Sequence, residues 1–272
     1  MKKFCIILCL LSNKVLAQPN CNAYLYYGDT LKYKACQVAE KRQGYHQFSA
    51  ENQQALDEAI ALDPTFSFAY EAKSTAYLKS GDFVTWFQLM NKAVALDPKE
   101  HLPYRGWCRY QFFRDYEGAI ADIERLDSLS KYDIGYSVNG DYHLQMAKAL
   151  CYKALGQKEK ALEIIINQMN EAGYQPGLFD YLHLGVLYLD LKQHDKAIQA
   201  LNQQEKVNDL AENRYYLGKA FMDLGRKDEA LMQLKIAKEK YEKEDRMKDP
   251  YTQHADKIYW EDIVAAINGL MQ

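Results

Sequence analysis

Apolar residues recur every three or four positions along most of this chain. That spacing places them on one face of an α-helix, whereas strict alternation would place them on one face of a strand. Segments 161–165 and 197–201 show the helical spacing, with two apolar pairs separated by a single polar residue. No segment shows convincing strand alternation. The pattern therefore predicts an all-α protein.

Two Asp-Pro pairs divide the helical pattern at a fixed interval. The pairs end at Pro64 and Pro98, which are 34 residues apart, and Gly81 lies between them. Proline cannot continue a helix, and glycine commonly follows a helix C-terminus, so the interval predicts two helices joined by a turn. One such pair cannot bury its apolar face alone. Repetition at this period therefore predicts neighbouring pairs stacked into a solenoid.

The second half of the chain carries the most regular copies of this unit. Each copy has Leu-Gly and an aromatic residue on its first helix, followed by Ala and Leu on its second. The residues are Tyr181, Leu184, Gly185, Tyr188, Ala197 and Leu201 in one copy, and Leu217, Gly218, Phe221, Gly225, Ala230, Leu234 and Ala237 in the next. This pattern resembles the tetratricopeptide repeat family. The resemblance implies a right-handed α-solenoid of about six helix pairs.

Weaker copies of the unit lie around Ala149 and Tyr110. In the copy around Tyr110, Trp107 stands where the family prefers a small residue. Segments 128–142 and 169–178 interrupt the period and predict longer links between helix pairs. Each link is either a surface loop without a role or a loop that shapes a binding edge.

The last repeat is followed by a charge-dense extension over residues 238–248 and then by Pro250. Residues 254–270 have apolar residues at helical spacing and predict an amphipathic helix. Because a solenoid needs capping at its ends, we interpret this helix as a cap rather than a membrane-binding element. The predicted organisation is a signal peptide over residues 1–17, a repeat solenoid over 18–249 and a C-terminal capping helix over 250–272.

The N-terminal segment has the features of a secretory signal peptide. Lys2 and Lys3 precede an apolar run that is too short to span a bilayer, and small residues precede a cleavage point near Ala17. The short Lys-Lys start is typical of bacteria. We therefore expect a bacterial protein that is periplasmic or secreted, with no membrane insertion after the signal is cleaved.

Export implies an oxidising compartment, in which cysteines form disulfides. Four cysteines remain after cleavage near Ala17, and Cys21 and Cys36 are close enough in sequence for a disulfide that would clip the N-terminal segment. The alternative interpretation is that each of these cysteines is a small buried apolar residue.

Composition and motifs argue against several classes of function. The 272 residues include 34 Lys and Arg against 37 Asp and Glu, a net charge of −3, which is not the basic footprint of a nucleic-acid-binding protein. The histidines are scattered without metal-ligand spacing, and neither a phosphate-binding glycine loop nor a nucleophile elbow occurs. We therefore predict a protein that is not an enzyme and that uses no metal or cofactor.

In the tetratricopeptide family, the first helices of successive pairs line a concave groove that holds a partner peptide or protein. Carried over by repeat position, the resemblance implies a groove side that includes Phe68, Glu71, Tyr104, Met146, Phe179, Leu182, Val186, Leu189, Tyr215, Lys219 and Met222. Arg105 and Arg109, one helical turn apart, could grip a carboxylate or stack on an aromatic ring, or could form ordinary salt bridges with neighbouring acids. The predicted function is a protein-interaction scaffold or adaptor of the bacterial envelope.

Two other functions stay open at this point. The protein could be a self-associating structural component of the cell envelope, for instance a homodimer, because the ends of a solenoid can stack. It could also be an accessory domain of an envelope enzyme complex. That second function would need clustered catalytic side chains in one cleft, and the sequence offers no such cluster.

Overall fold

The computed structural model describes residues 19–271, so the predicted signal peptide lies outside the described residues. The described chain forms fourteen α-helices and no β-strand, with a single antiparallel bridge between Tyr136 and His143. The all-α prediction is confirmed. The chain divides into two compact units, one ending at Asp97 and the other beginning at Pro98.

The first unit contains five helices. They are α1 (Cys21–Tyr26), α2 (Thr30–Glu40), α3 (Ala50–Leu62), α4 (Ser67–Ser80) and α5 (Phe83–Leu96). Helix α2 packs against α3, and α4 packs against α5. A disulfide joins Cys21 to Cys36, whose Cα atoms are 5.5 Å apart. The disulfide is part of the buried core of this unit, which also includes Leu56 and Phe66.

Local sequence sets the ends of these helices. The side chains of Asp29, Ser49 and Asp82 each accept a hydrogen bond from the backbone N–H three residues further on, which satisfies a donor that the first helical turn leaves open. Gly81 ends α4 with a φ of 85°, a left-handed conformation that costs glycine little. The turn between α4 and α5 therefore forms at Gly81, as the sequence predicts.

The second unit contains the remaining nine helices of the described chain. They are α6 (Pro98–Cys108), α7 (Tyr116–Leu129), α8 (Leu144–Ala154), α9 (Lys158–Asn170), α10 (Asp180–Asp190), α11 (His194–Val207), α12 (Ala211–Asp223), α13 (Lys227–Glu242) and α14 (Trp260–Met271). Helices α6 to α13 pack as consecutive pairs, from α6 with α7 to α12 with α13. The first helices of these pairs also contact one another in the order α6, α8, α10, α12. We call the surface they form the first-helix face.

Glycines set the distance between paired helices. A Cβ atom added to Gly185 would lie 2.6 Å from Cγ of Leu201, and one added to Gly218 would lie 2.7 Å from Cγ of Leu234. Both distances are shorter than real Cβ contacts, because protein interiors are already closely packed. These glycines therefore allow α10 to approach α11, and α12 to approach α13.

The pair of α6 and α7 departs from this spacing by one residue. Twelve positions separate the glycine from the facing alanine in the two best repeats, whereas thirteen separate Gly106 from Ala119. A π-helical turn, Arg109–Phe113, ends α6 and absorbs the extra residue. A Cβ atom added to Gly106 would meet Ile123 at 3.2 Å, so this glycine fills the small-residue position. The prediction that Trp107 fills it is therefore wrong.

The two segments that interrupt the repeat period meet in the structure. The ring of Tyr136 contacts His143 edge-on, and His143 contacts Tyr174 in the same way. Nε2 of His143 lies 2.8 Å from a carboxylate oxygen of Asp133. The two loops therefore contact each other, and Tyr142, which directly precedes His143, is buried.

The C-terminal helix begins later than the amphipathic pattern predicts. Helix α14 starts at Trp260 rather than at residue 254 and packs against α13. Asp256 has a φ of 60°, which a right-handed helix cannot contain. Residues 245–259 instead form an irregular segment that we call the strap. Within residues 19–271, no helix combines the length and apolar character needed to cross a bilayer.

Candidate functional site

The strap covers much of the first-helix face. It leaves α13 and passes the start of α12, where the backbone N–H of Met247 donates a hydrogen bond to the Glu212 carboxylate at 3.1 Å. It then reaches the π-helical turn at the end of α6, where Gln111 donates a hydrogen bond to Thr252. On its return it buries Ile258 in the cluster that joins α12, α13 and α14. The strap thus runs from the last helix pair to the first and back.

A buried polar cluster holds the middle of the strap. One carboxylate oxygen of Asp256 lies 2.6 Å from Nζ of Lys153 on α8, and the other lies 2.7 Å from Nδ1 of His183 on α10. Nε2 of His183 lies 3.1 Å from the hydroxyl oxygen of Tyr142, which in turn lies 3.2 Å from Nδ1 of His254. The Asp256 side chain is 9% exposed and that of His183 is 0% exposed. This strap cluster therefore connects the strap to three separate parts of the second unit.

Pairing and burial set the charges in the strap cluster. Burial alone would raise the pKa of Asp256, but the neighbouring Lys153 and His183 outweigh it and lower that pKa to about 2. Burial lowers the pKa of His254 and raises the pKa of Tyr142, so both side chains favour their neutral forms. At neutral pH the cluster therefore contains an ionised carboxylate beside a neutral His254 and a protonated Tyr142.

Aromatic rings surround the strap cluster. The Tyr142 ring centroid lies 5.6 Å from that of Trp107 and 5.8 Å from that of Phe179. Phe179 also lies 5.3 Å from the imidazole of His254 on the strap. The predicted groove residue Phe179 therefore contacts the chain's own C-terminal segment.

Beside the strap, a pocket of ≈ 320 Å³ opens between α10, α12, the strap and the start of α14. Its walls are Val186, Leu189, Asp190, Tyr215, Tyr216, Lys219, Asp223, Lys257, Ile258 and Asp262. The rings of Tyr215 and Tyr216 meet edge-on, with their centroids 5.2 Å apart. The pocket therefore combines an aromatic and aliphatic wall with acidic and basic groups, and its volume falls in the range of ligand sites.

The structure brings four of the predicted groove residues together. Val186, Leu189, Tyr215 and Lys219 come from two successive first helices, α10 and α12, and all four line the pocket. They are the predicted residues best placed to meet a partner.

The other predicted groove residues lie elsewhere. Met146 and Leu182 are fully buried in the helix packing of the second unit. Tyr104 on α6 and Met222 on α12 are half-buried and do not line the pocket. Phe68 and Glu71 are half-buried on α4 of the first unit. Of the predicted groove residues, those that line the pocket therefore belong to α10 and α12, towards the C-terminal end of the repeats.

Arg105 and Arg109 are engaged in salt bridges. Arg105 donates two hydrogen bonds to the carboxylate of Asp122, at 2.8 and 2.6 Å. Arg109 lies 3.3 Å from the same carboxylate and 3.4 Å from that of Asp115. The side chain of Asp122 is only 4% exposed, so these contacts bind α7 to α6 from the inside. The structure therefore agrees with the second interpretation of this pair, in which both arginines form salt bridges with neighbouring acidic residues.

Sequence reasoning misses the strap and its cluster. Periodicity treats residues 254–270 as one helix, and His183 and His254 appear as scattered histidines because their partners lie on other elements. A weak signal was available, since the apolar spacing of that helix is regular only from Trp260 onward. Among residues 19–271, no group of three or more side chains is arranged to hold a metal ion.

Comparison with known proteins agrees with a solenoid of paired helices. Sequence models of the tetratricopeptide repeat match residues 181–209 and 212–243, which cover all but the first residue of each of the pairs α10–α11 and α12–α13. No curated protein is similar enough in sequence to count as a relative. The second unit therefore contains tetratricopeptide repeats.

Solved structures share the same fold at low sequence identity. PilW, a widely conserved type IV pilus biogenesis factor, is 12% identical with a TM-score of 0.56, over 93% of this chain and 95% of PilW. PilF of Pseudomonas aeruginosa is 16% identical with a TM-score of 0.56, over 82% and 89% of the two chains. A chain of the APC/C hetero-tetramer Cut9–Hcn1 is 14% identical with a TM-score of 0.57, over 93% of this chain and 45% of that one. At these identities the similarity shows the fold alone.

Proposed function

We propose that this protein is a non-catalytic scaffold or adaptor that binds a peptide or protein partner on the first-helix face of its second unit. Tetratricopeptide repeats are typically protein-interaction modules, and solenoids bind through the surface that their repeats share. The pocket carries the proposal, because Val186, Leu189, Tyr215 and Lys219 were predicted from repeat position and converge on it from two repeats.

The pocket suits an apolar or aromatic side chain of the partner. Tyr215 and Tyr216 offer two rings, and such residues are common anchors of protein interfaces. Lys219 makes no hydrogen bond or ion pair with any residue in the range 19–271, so its ammonium group is available to a partner. Because residues of α10, α12 and α14 form most of the walls, the partner would find most of the site already ordered, which lowers the entropic cost of binding.

We also propose that the protein is exported and works in the periplasm or outside the cell, after cleavage near Ala17. The Cys21–Cys36 disulfide supports this location, because such bonds persist in oxidising compartments. The similarity in fold to a pilus biogenesis factor is compatible with an envelope role. Expression of the full chain in a bacterium, followed by mass spectrometry of the periplasmic fraction, tests this. We expect a mature chain beginning at Gln18, and an uncleaved cytoplasmic chain would contradict the proposal.

Site-directed photocrosslinking tests the binding function. A photoreactive residue replaces Leu189 in the pocket or, as a control, Met232, which is exposed on α13. Both proteins are exposed to envelope extract. We expect a partner that crosslinks at position 189 and not at position 232.

The purified partner then provides a quantitative test. Tyr215→Ala and Lys219→Ala should each weaken its affinity by about tenfold or more, whereas Met232→Ala should leave it unchanged. Leu182→Ala is unsuitable as a pocket variant, because Leu182 is fully buried and its loss would damage the core. Equal affinity of all these variants would contradict the pocket as the binding site. Crosslinks only to further copies of this chain would favour the self-associating structural role.

A further inference from the structure

We propose that the first-helix face beneath the strap is a second binding site, which takes a non-helical partner segment that buries an acidic side chain, and that the strap is its occupant within the chain. The inference rests on the proposed function, since it names the chemistry of one partner segment. Its evidence, however, is the seating of Asp256 and not the pocket.

The side chains that bind the Asp256 carboxylate form a site that we call the seat, and all of them lie outside the strap. Lys153 lies on α8, His183 lies on α10, and Tyr142 lies in the loop before α8. The ring of Tyr142 contacts those of Trp107 and Phe179. The donors that surround the Asp256 carboxylate therefore come from elements outside the strap, which position them by their own packing.

The strap is held by separate polar contacts rather than by regular structure. It contains neither helix nor strand, and the side chains of Thr252, His254 and Asp256 contact the π-helical turn, Tyr142, α8 and α10. Its backbone contributes as well, since the carbonyl of Gln253 accepts a hydrogen bond from Arg114. The strap therefore resembles a bound ligand that remains covalently attached.

The charged contact at Asp256 contributes more to the specificity of the seat than to the stability of the segment bound in it. Burying a carboxylate and an ammonium costs desolvation energy that their attraction roughly balances, so an apolar residue would fasten the strap equally well. A wrong occupant, by contrast, would leave the mostly buried Lys153 with only the more distant carboxylate of Asp190, 3.8 Å from its Nζ, which is unfavourable. The seat therefore favours an acidic side chain.

The backbone at Asp256 gives independent support. A positive φ is uncommon at residues other than glycine, although Asp tolerates it better than most, and such conformations persist where the surroundings impose them. Here the turn aims the carboxylate down into the seat while Ile258, two residues later, is buried against α12. The expected partner segment thus carries an acidic residue followed two positions later by an aliphatic one.

A peptide supplied in trans tests this inference. The probe is a fluorescein-labelled synthetic peptide of residues 245–259, and fluorescence anisotropy measures its binding to the full chain. The chain is used as wild type, as Asp256→Lys, which sets a cation against Lys153 and expels the strap, and as Glu261→Lys. Glu261 is exposed at the start of α14, so this control makes the same charge change without touching the seat.

We expect Asp256→Lys to bind the peptide about tenfold or more tightly than wild type or Glu261→Lys, because the tethered strap is present at millimolar effective concentration and excludes the probe. A peptide carrying Asp256→Asn should bind the same variant about tenfold or more weakly. Circular dichroism checks that each variant is folded. Because Asp256→Lys could prevent folding, Asp256→Asn is measured beside it and should also bind the peptide more tightly than wild type.

Three outcomes would overturn the inference. These are no peptide binding by either folded variant, equal binding by wild type and variants, and equal binding of the two peptides. The experiments distinguish failure of this second site from failure of the proposed pocket function. A partner that crosslinks in the pocket, with no peptide binding in trans, would refute this site alone. Peptide binding without any pocket partner would refute the pocket alone.

Discussion

Nδ1 of His183 lies 2.7 Å from a carboxylate oxygen of Asp256, although 73 positions separate the two residues in sequence. The contact joins a helix in the middle of the repeat array to the strap that follows the last repeat. Lys153, from another repeat, binds the second oxygen of the same carboxylate. The C-terminal segment is therefore part of the core of the second unit.

Replacing Asp256 by asparagine should destabilise the second unit. The change leaves Lys153 buried without its nearest carboxylate, and breaking a buried pair in this way costs about 3 kcal/mol or more. Urea unfolding measures the change in the free energy of unfolding. The control Glu261→Gln removes the same charge from an exposed site and should change that free energy by less than about 0.5 kcal/mol. Equal effects of the two substitutions would show that the contact carries no stability.

Acidification should loosen the strap. Burial lowers the pKa of His254, so the unfolded strap takes up a proton at a higher pH than the seated strap does. Stability therefore falls as the pH drops below about 6.5, the pKa of an unperturbed histidine. The titratable groups that act on His254 are Tyr142, His183, Asp141 and Asp249. Asp256 keeps its charge through this range, because its pKa is about 2.

Hydrogen exchange measures this pH dependence. Backbone amides of residues 247–259 should exchange several-fold faster at pH 5.5 than at pH 7.5, after correction for the intrinsic rate. The variant His254→Asn has no imidazole to protonate, so its exchange should respond much less to pH. Identical protection of the wild-type strap at both pH values would contradict the prediction.

Two glycines should be intolerant of a single added methyl group. Gly185→Ala and Gly218→Ala each force a Cβ atom against a leucine of the facing helix, and overpacking of this kind lowers the free energy of unfolding by about 1–3 kcal/mol. Gly269→Ala is the matched control. It is also helical, but its added Cβ atom meets nothing within 4 Å, so it should raise stability by up to about 1 kcal/mol. A stabilising effect of all three would refute the close helix approach.

The disulfide should stabilise the first unit. It closes a loop with a sequence separation of 15, for which the chain-entropy estimate is about 3 kcal/mol. Urea unfolding with and without reductant measures the loss. Thiol titration of the denatured chain from Gln18, which has four cysteines, should count two thiols before reduction and four afterwards. Four thiols before reduction would contradict the bond.

The regular repeats could be predicted because close packing constrains them strongly. Gly185 and Gly218 each face an alanine at the same spacing, and that spacing is visible in the sequence. At α6 the same rule fails, because one residue is absorbed in the π-helical turn and nothing in the local composition marks it. A one-residue shift then moved the small-residue position from Gly106 to Trp107 in the predicted pattern.

The binding surface was predictable only in part, and for a different reason. Repeat position locates side chains on a helix face, and two of the residues it selects, Val186 and Tyr215, line one pocket. It cannot show what else lies on that face. A contact between residues 73 positions apart leaves no repeating pattern in the sequence. From the sequence alone, Asp256 is therefore indistinguishable from an acidic residue on the solvent-exposed surface.

The path of the strap also depends on the number of helix pairs in the second unit. From Met247 at α12 to Thr252 at the π-helical turn, the chain advances five residues, which can span at most about 18 Å. A duplicated helix pair between α6 and α12 would lengthen that path by roughly the 10 Å that separates packed helices. The same five residues would then have to cover a greater distance to reach Gln111. Repeat arrays commonly vary in length, but in the second unit a change in the number of helix pairs would also change the distance that an irregular segment has to cover.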